Sequence, residues 1–143
     1  MAIYSTAQRS TALTTGLASL SIITASTDRA VILECGIFLG AATASVFALG
    51  RPAAAGVTPT SPTALQADDP GSPAGVTTYC LAWGTAPTAP TIAQRRWAGP
   101  ATIGTGVIFT WPRGLVIAVS ANYVHHNLAA TVAAADHYVS LDE

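Results

Sequence analysis

Three histidines are the first residues to weigh for chemistry. His125-His126 and the dipeptide Asp136-His137 bring together imidazole and carboxylate, donor types that zinc and other transition metals accept. Neighbouring side chains on a strand point to opposite faces, so His125 and His126 cannot both reach one ion without a bulge. No further Cys or His spacing completes a ligand set. They read as surface or interface histidines with no metal expected, and a ligand ring around an oligomer axis is the one version of a metal site left to test.

The other chemistries fare no better. There is no Gly-x-Ser-x-Gly elbow. Cys35 and Cys80 lie inside apolar runs without an evident His or acidic partner, where they read as reduced core thiols rather than a disulfide. Working carboxylates would have to come from Asp28, Glu34, Asp68, Asp69, Asp136, Asp142 and Glu143. Asp68-Asp69-Pro70-Gly71 is turn chemistry and Asp142-Glu143 reads as a tail. Glu34 interrupts an apolar run, so it needs a partner such as an arginine if buried, or a neighbouring subunit. Gly104 and Gly106 precede a strand, not a helix, and therefore cradle no phosphate. No cofactor and no enzymatic activity are expected.

Recognition chemistry remains. Arg95-Arg96-Trp97 combines the residue types over-represented among those that dominate protein interfaces. Its alternative reading is a cation stacked on its own Trp along an edge strand. Trp83 and Trp111 read as core or core-rim residues. Tyr4 and Arg9 belong to a polar segment, residues 1–14, expected to be extended and suited to lying across a neighbour. The opening residues Met1 to Arg9 lack a basic start followed by an apolar run, so export is not expected.

The composition is consistent with binding. Only 9% of the 143 residues are charged, and all six basic residues are arginines, against about 25% charged in an average soluble domain. Either much of the surface meets another protein or the Thr and Ser hydroxyls keep it dispersed. With a net charge of −1 and the arginines scattered, no stripe can neutralise several phosphates, so nucleic acid is not an expected partner.

The elements that must position these residues read as strands. One domain, 1–143, is expected, long enough to bury a core without staples. Leu17 to Thr24 alternates, with Ala18, Leu20 and Ile22 facing one way and Ser19 and Ser21 the other. Arg29 to Phe38 offers Val31, Leu33, Cys35 and Ile37 on one face and Ala30, Ile32, Glu34 and Phe38 on the other. Ala30 to Leu49 is apolar enough to consider as a membrane helix, but its β-branched residues and Gly-Ala-Ala-Thr centre fit two strands and a turn, with no membrane partner expected. Further strands are expected over Thr43 to Leu49, Val76 to Trp83, Ile92 to Trp97, Tyr123 to Leu128 and His137 to Leu141. Thr105 to Trp111 and Leu115 to Ser120 are expected to form a hairpin around Pro112-Arg113-Gly114. Residues 51–75 and 84–91, rich in Pro, Ala and Thr, read as exposed loops. Ala129 to Ala135 is either a short helix or a loop of small residues. The fold class is all-β, a β-sandwich of eight to ten short antiparallel strands.

In this style the chain resembles the small decoration or cement proteins on the capsids of tailed bacteriophages. The residues that carry the likeness are Tyr4-Ser5-Thr6, Glu34-Cys35-Gly36-Ile37-Phe38 with Ala41-Ala42-Thr43, and Leu49-Gly50-Arg51-Pro52. Gly106 to Trp111, Gly114-Leu115-Val116-Ile117 and the ending His137 to Glu143 complete them. The resemblance implies a jelly-roll-like sandwich, a homodimer or homotrimer, made in the host cytoplasm and bound to the outer surface of the virion. There it would clamp neighbouring subunits of the major capsid protein. The competing expectation is a carbohydrate- or receptor-binding sandwich of a phage tail or head fibre. The residues expected at the interface are Arg95, Arg96, Trp97, Glu34, Tyr4 and Arg9.

Overall fold

The computed structural model describes residues 2–11, 13–14 and 17–143, and among these there is no helix. In chain order the strands are β1 (Ile3–Arg9), β2 (Leu13–Thr14), β3 (Ala18–Ile23), β4 (Ala30–Leu39) and β5 (Ser45–Gly50). They continue as β6 (Val57–Thr60), β7 (Thr63–Ala64), β8 (Gln66–Ala67), β9 (Thr78–Cys80) and β10 (Ala82–Thr85). The last five are β11 (Arg95–Gly99), β12 (Gly106–Ile117), β13 (Asn122–Asn127), β14 (Thr131–Val132) and β15 (Ala135–Asp142). Sheet I has the order β12-β4-β15-β1-β8 and sheet II the order β11-β5-β13-β3-β9-β7. All pairings are antiparallel, and the two sheets pack as an all-β sandwich.

The longer strands nest by sequence separation. β1 pairs with β15, β3 with β13, β4 with β12 and β5 with β11, so the chain folds as one long double ribbon. The pairs β15 with β4 and β13 with β5 then roll that ribbon into two sheets. Side chains between the sheets form the core, including Leu20 and Ile22 of β3, Ile32, Ile37 and Leu39 of β4, Leu49 of β5, and Val139 and Leu141 of β15. Each fully buried aliphatic side chain contributes about 1.5–3 kcal/mol of transfer free energy. β15 shows the simplest link from sequence to packing. Ala135, His137, Val139 and Leu141 are buried while the residues between them are half-exposed.

Three bulges change the faces expected from strict alternation. On β3, Leu20 pairs with His125 and Ala18 with His126, so Ser19 is an extra residue and Ala18 does not share the expected face with Leu20 and Ile22. Glu34 pairs with Ser140 and Ile32 with Leu141, so Leu33 is an extra residue on β4. Ala30 and Ile32 therefore face the core before Leu33, and Cys35, Ile37 and Leu39 after it. The expected grouping of Val31 and Leu33 with Cys35 and Ile37 is corrected accordingly. On β12, Thr110 pairs with Glu34 and Leu115 with Ile32, leaving residues 111–114 opposite Leu33 alone. The expected hairpin around Pro112-Arg113-Gly114 is thus a wide bulge within a single strand. Pro112 has no N–H for the ladder, and Gly114 takes φ +69°, a left-handed conformation. Both features suit a turn, and β4 uses them to let one strand continue past an irregularity.

The expected exposed loops carry paired structure. β6 and β10 pair antiparallel, Trp83 opposite Pro59, and beyond them Thr88 N donates to Ala54 O at 3.1 Å. The two Pro- and Thr-rich stretches, distant in sequence, make one surface ribbon. Leu65, between β7 and β8, is buried. Ala129 to Ala135, weighed as helix or loop, holds β14 and the start of β15. The N-terminal segment is corrected as well. β1 does not reach outward, because it lies between β15 and β8 within sheet I. Of the expected segment 1–14, residues 1 and 12 lie outside the described residues.

Candidate functional site

β11 ends sheet II and β12 ends sheet I on the same side of the sandwich. The ladder to β5 sets Arg95 opposite Leu49, Arg96 opposite Ala48 and Trp97 opposite Phe47. Arg95 and Trp97 share the face turned towards sheet I, and Arg96 takes the other. Trp97 is half-buried and stacks on Phe47, ring centroids 6.3 Å apart at 10°. The Arg95 guanidinium lies 5.2 Å from the Trp111 ring centroid, and its Nη1 donates to Gln94 O at 2.9 Å. The cation therefore crosses to the bulge of the facing sheet rather than stacking on its own neighbour Trp97. Such a contact contributes about 0.5–1 kcal/mol at an exposed site. Trp111 in turn meets the buried Tyr123 edge-on at 6.2 Å. Arg51 Nη2 donates to Val116 O at 2.9 Å, a second cationic link between the sheets.

The other expected interface residues are not gathered here. Tyr4 is 3% exposed, and its hydroxyl donates to Pro73 O at 3.0 Å, so it is a core residue and not a contact for a neighbour. Arg9 forms a bidentate pair with Asp136, Nε to Oδ1 at 2.7 Å and Nη2 to Oδ2 at 2.6 Å, directly across the β1–β15 ladder. That partner raises the Arg9 pKa and lowers that of Asp136. Glu34 finds no arginine. It accepts a hydrogen bond from the Tyr138 hydroxyl on the outer face of sheet I, and burial followed by this bond pushes the Tyr138 pKa up. Gly36 makes that contact possible, since a Cβ there would sit 2.1 Å from the Tyr138 ring.

The histidines differ most from expectation. All three are buried, not surface or interface residues. His137 of β15 and His125 of β13 meet across the sandwich, Nδ1 to Nδ1 at 3.1 Å, and His137 Nε2 lies 3.1 Å from Ser10 Oγ. Phe47 meets His137 edge-on at 5.7 Å, and Tyr123 meets His125 at 6.2 Å. One proton arrangement satisfies the chain best. His125 Nδ1–H donates to His137, His137 Nε2–H donates to Ser10, and Ser10 donates to Ala135 O at 3.3 Å. His125 Nε2 is then a bare lone pair without a partner in the core. Burial holds the His125 pKa well below 6.5, with the charge of His137 acting the same way, and burial holds His137 at about 4.

The Ser10–His137–His125 chain has the elements of a nucleophile and a base, but Ser10 is only 4% exposed, which closes it to a substrate. Among the described residues no group of three His, Cys, Asp or Glu could hold a metal ion. Cys35 and Cys80 are free and buried. Burial, reinforced by Glu34, pushes the Cys35 thiol up to about 12. The signal for the buried histidines was present in the sequence: Ala135, His137, Val139 and Leu141 stand at period two, which puts His137 on the apolar face.

The described residues form at least two surface clefts. One of about 300 Å³ is lined by Arg51, Pro52, Ala53, Thr91, Ile92 and Gln94. A second, of about 370 Å³, lies beside β1 and is lined by residues that include Thr6, Gln8, Thr63, Gln66 and Tyr79. Large apolar side chains also stand exposed, Ile108 and Val116 on β12 among them. The arrangement can bind, through open strand edges, a cation–aromatic pair and exposed aliphatics. Comparison with known proteins finds no protein-family model, no curated protein and no solved structure that matches the chain.

Proposed function

We propose that this chain is a structural virion protein, a decoration protein that binds the outer surface of a tailed-phage head and bridges major capsid subunits. The observation that carries this reading is the side of the sandwich where β11 and β12 end their sheets, with Arg95, Arg96, Trp97 and Trp111 on it and Ile108 exposed beside them. Edge strands of this kind are protected in a free-standing monomer or used for binding. The proposal includes a jelly-roll topology. Its support is the nested pairing of first strand with last through fourth with fifth among the eight longest strands, which is how two Greek keys roll up. The low charge also favours a surface that is largely covered when assembled.

Stabilisation needs no turnover, because each bound copy favours the mature shell by its binding free energy. The test is stoichiometric recovery of the chain on purified phage particles, with heat-induced genome release compared with and without it. Particles that contain none of the chain refute the proposal. The carbohydrate-binding alternative gains no support from the tryptophans, since Trp83, Trp97 and Trp111 are all partly buried rather than open platforms.

A further inference from the structure

Two aromatic rings lie flat on the outer face of sheet I, and glycines on the neighbouring strands make room for them. A Cβ at Gly36 would sit 2.1 Å from Tyr138 Cε1 and 3.1 Å from Phe38 Cε2, and one at Gly106 would sit 2.2 Å from Phe38 Cδ1. A Cβ stands up from the sheet, so Tyr138 of β15 crosses over Gly36 of β4, and Phe38 of β4 crosses over Gly106 of β12. The ring planes differ by 17° and the centroids are 6.4 Å apart, so the two rings, resting on one face, lie side by side as a single plate. Each is half-buried, as a ring is with one face on the sheet and the other towards water. The row through the plate, Ile108, Gly36, Tyr138 and Ala7, ends in exposed residues on both sides. Sheet II differs: its outward-facing Val124 and Ser21 are buried, and Pro90 lies against Gly50 in the same row.

We propose that this plate binds a neutral carbohydrate, a disaccharide unit of a glycan laid along the two rings. The apolar face of a pyranose carries C–H groups of partial positive charge, which pack on the negative face of an aromatic ring. Two rings side by side are longer than one pyranose, so the fit is to two linked sugars. Polar groups border the plate. Phe38 shares its row with Asp136, and Glu34 stands in the row beyond Tyr138, between Thr110 and Ser140. Both carboxylates are held in place, Asp136 by Arg9 and Glu34 by the Tyr138 hydroxyl. A carboxylate has about four acceptor sites, so each keeps capacity for hydroxyl donors at the edge of a sugar.

Charge selects this occupant over others. A protein surface packed on the plate would take Glu34 and Asp136 out of water, which is costly unless every acceptor finds a donor. Sugar hydroxyls supply those donors and leave the far side of the ligand in solvent. The border carries the carboxylates of Glu34 and Asp136 against the guanidinium of Arg9, which Asp136 already engages, so an acidic sugar is disfavoured. The site uses none of the tryptophans. It does not depend on the capsid reading either, because the free chain carries all of it.

The test is saturation-transfer difference NMR of the full chain with cellobiose, lactose and N,N′-diacetylchitobiose, and with sialyllactose as the acidic comparison. At least one neutral disaccharide is expected to take up saturation on its ring C–H protons and to shift the Phe38 and Tyr138 ring resonances. Phe38→Ser and Tyr138→Ser are each expected to weaken that binding by about three- to tenfold, the loss of one ring of the plate. Neither side chain belongs to the buried core, and circular dichroism checks that both variants fold. No transfer to any neutral disaccharide, binding undiminished in either variant, or tighter binding of sialyllactose than of lactose overturns the proposal. Ring resonances that move with protein concentration and not with sugar would mark a contact between copies and overturn it as well. Should a variant fail to fold, the native chain decides: sugar-dependent shifts of Phe38 and Tyr138 with unmoved tryptophan signals support the site, and their absence overturns it.

Discussion

Lowering the pH from 7 to 5 should destabilise the fold through the buried histidine pair. His137 and His125 are neutral in the folded core, with His137 held at about 4 and His125 also lowered from 6.5. The groups around them are Ser10, Phe47 and Tyr123, none of which carries a charge to stabilise an imidazolium; Asp136, next to His137 on its own strand, is engaged by Arg9. An unfolded chain takes up protons on both histidines below 6.5, while the folded chain does not until the pH approaches 4. The unfolded state thus binds more protons in this window, and stability falls as pH falls. For His137 alone the loss between pH 7 and 5 is about 2 kcal/mol, and His125 adds to it in the same direction. Two kcal/mol corresponds to a fall in Tm of roughly 4–8 °C for a chain of this size. Urea unfolding at the two pH values measures it directly. His125→Phe with His137→Gln should remove most of the slope, whatever its effect on stability at pH 7. Equal stability at pH 5 and 7 in the native chain, or a slope that survives in the double variant, would refute the reasoning.

Gly114→Ala should destabilise by about 1–3 kcal/mol in a thermal melt, since the residue sits at φ +69° and a Cβ would lie 2.2 Å from Val31 Cγ1. Leu20→Ala, at a fully buried site, should cost about 2–5 kcal/mol by chemical denaturation, and an unchanged midpoint would contradict the packing. Arg95→Ala should lower stability by only about 0.5–1 kcal/mol while weakening retention on phage particles, so that a binding assay and a melt separate its two roles. A thiol reagent at pH 8 should label neither Cys35 nor Cys80 in the folded protein and both after denaturation.

The class of fold was legible because strands announce themselves locally. Alternation at Ala18–Ile23 and Ala135–Asp142, β-branched runs and proline-rich breaks fix where extended chain occurs, and none of these signals requires a partner. The Arg95-Arg96-Trp97 stretch was also recognisable as an edge strand, since charge next to aromatic residues does not fit a strand covered on both faces. What alternation could not give is the count of residues opposite one another. A single extra residue at Leu33 and four residues at 111–114 reverse which side chains meet the core, and a bulge has meaning only between two paired strands. The same limit explains Pro112-Arg113-Gly114, whose local chemistry suits a hairpin turn equally well, and β4 decides the matter by pairing with both sides of it.

The partners of the functional groups were likewise settled at long range. Arg9 lies 127 residues from Asp136, Tyr138 lies 104 from Glu34, and Ser10 lies 127 from His137. Composition and period determined by themselves that this protein is a sandwich of strands with a sparsely charged surface. The tertiary structure alone decided which histidines face each other in the core, which arginine crosses to Trp111 and which edges stay open. The physical reason is that burial and hydrogen bonding are set by the sum of both strands in a ladder, whereas the sequence displays each strand singly.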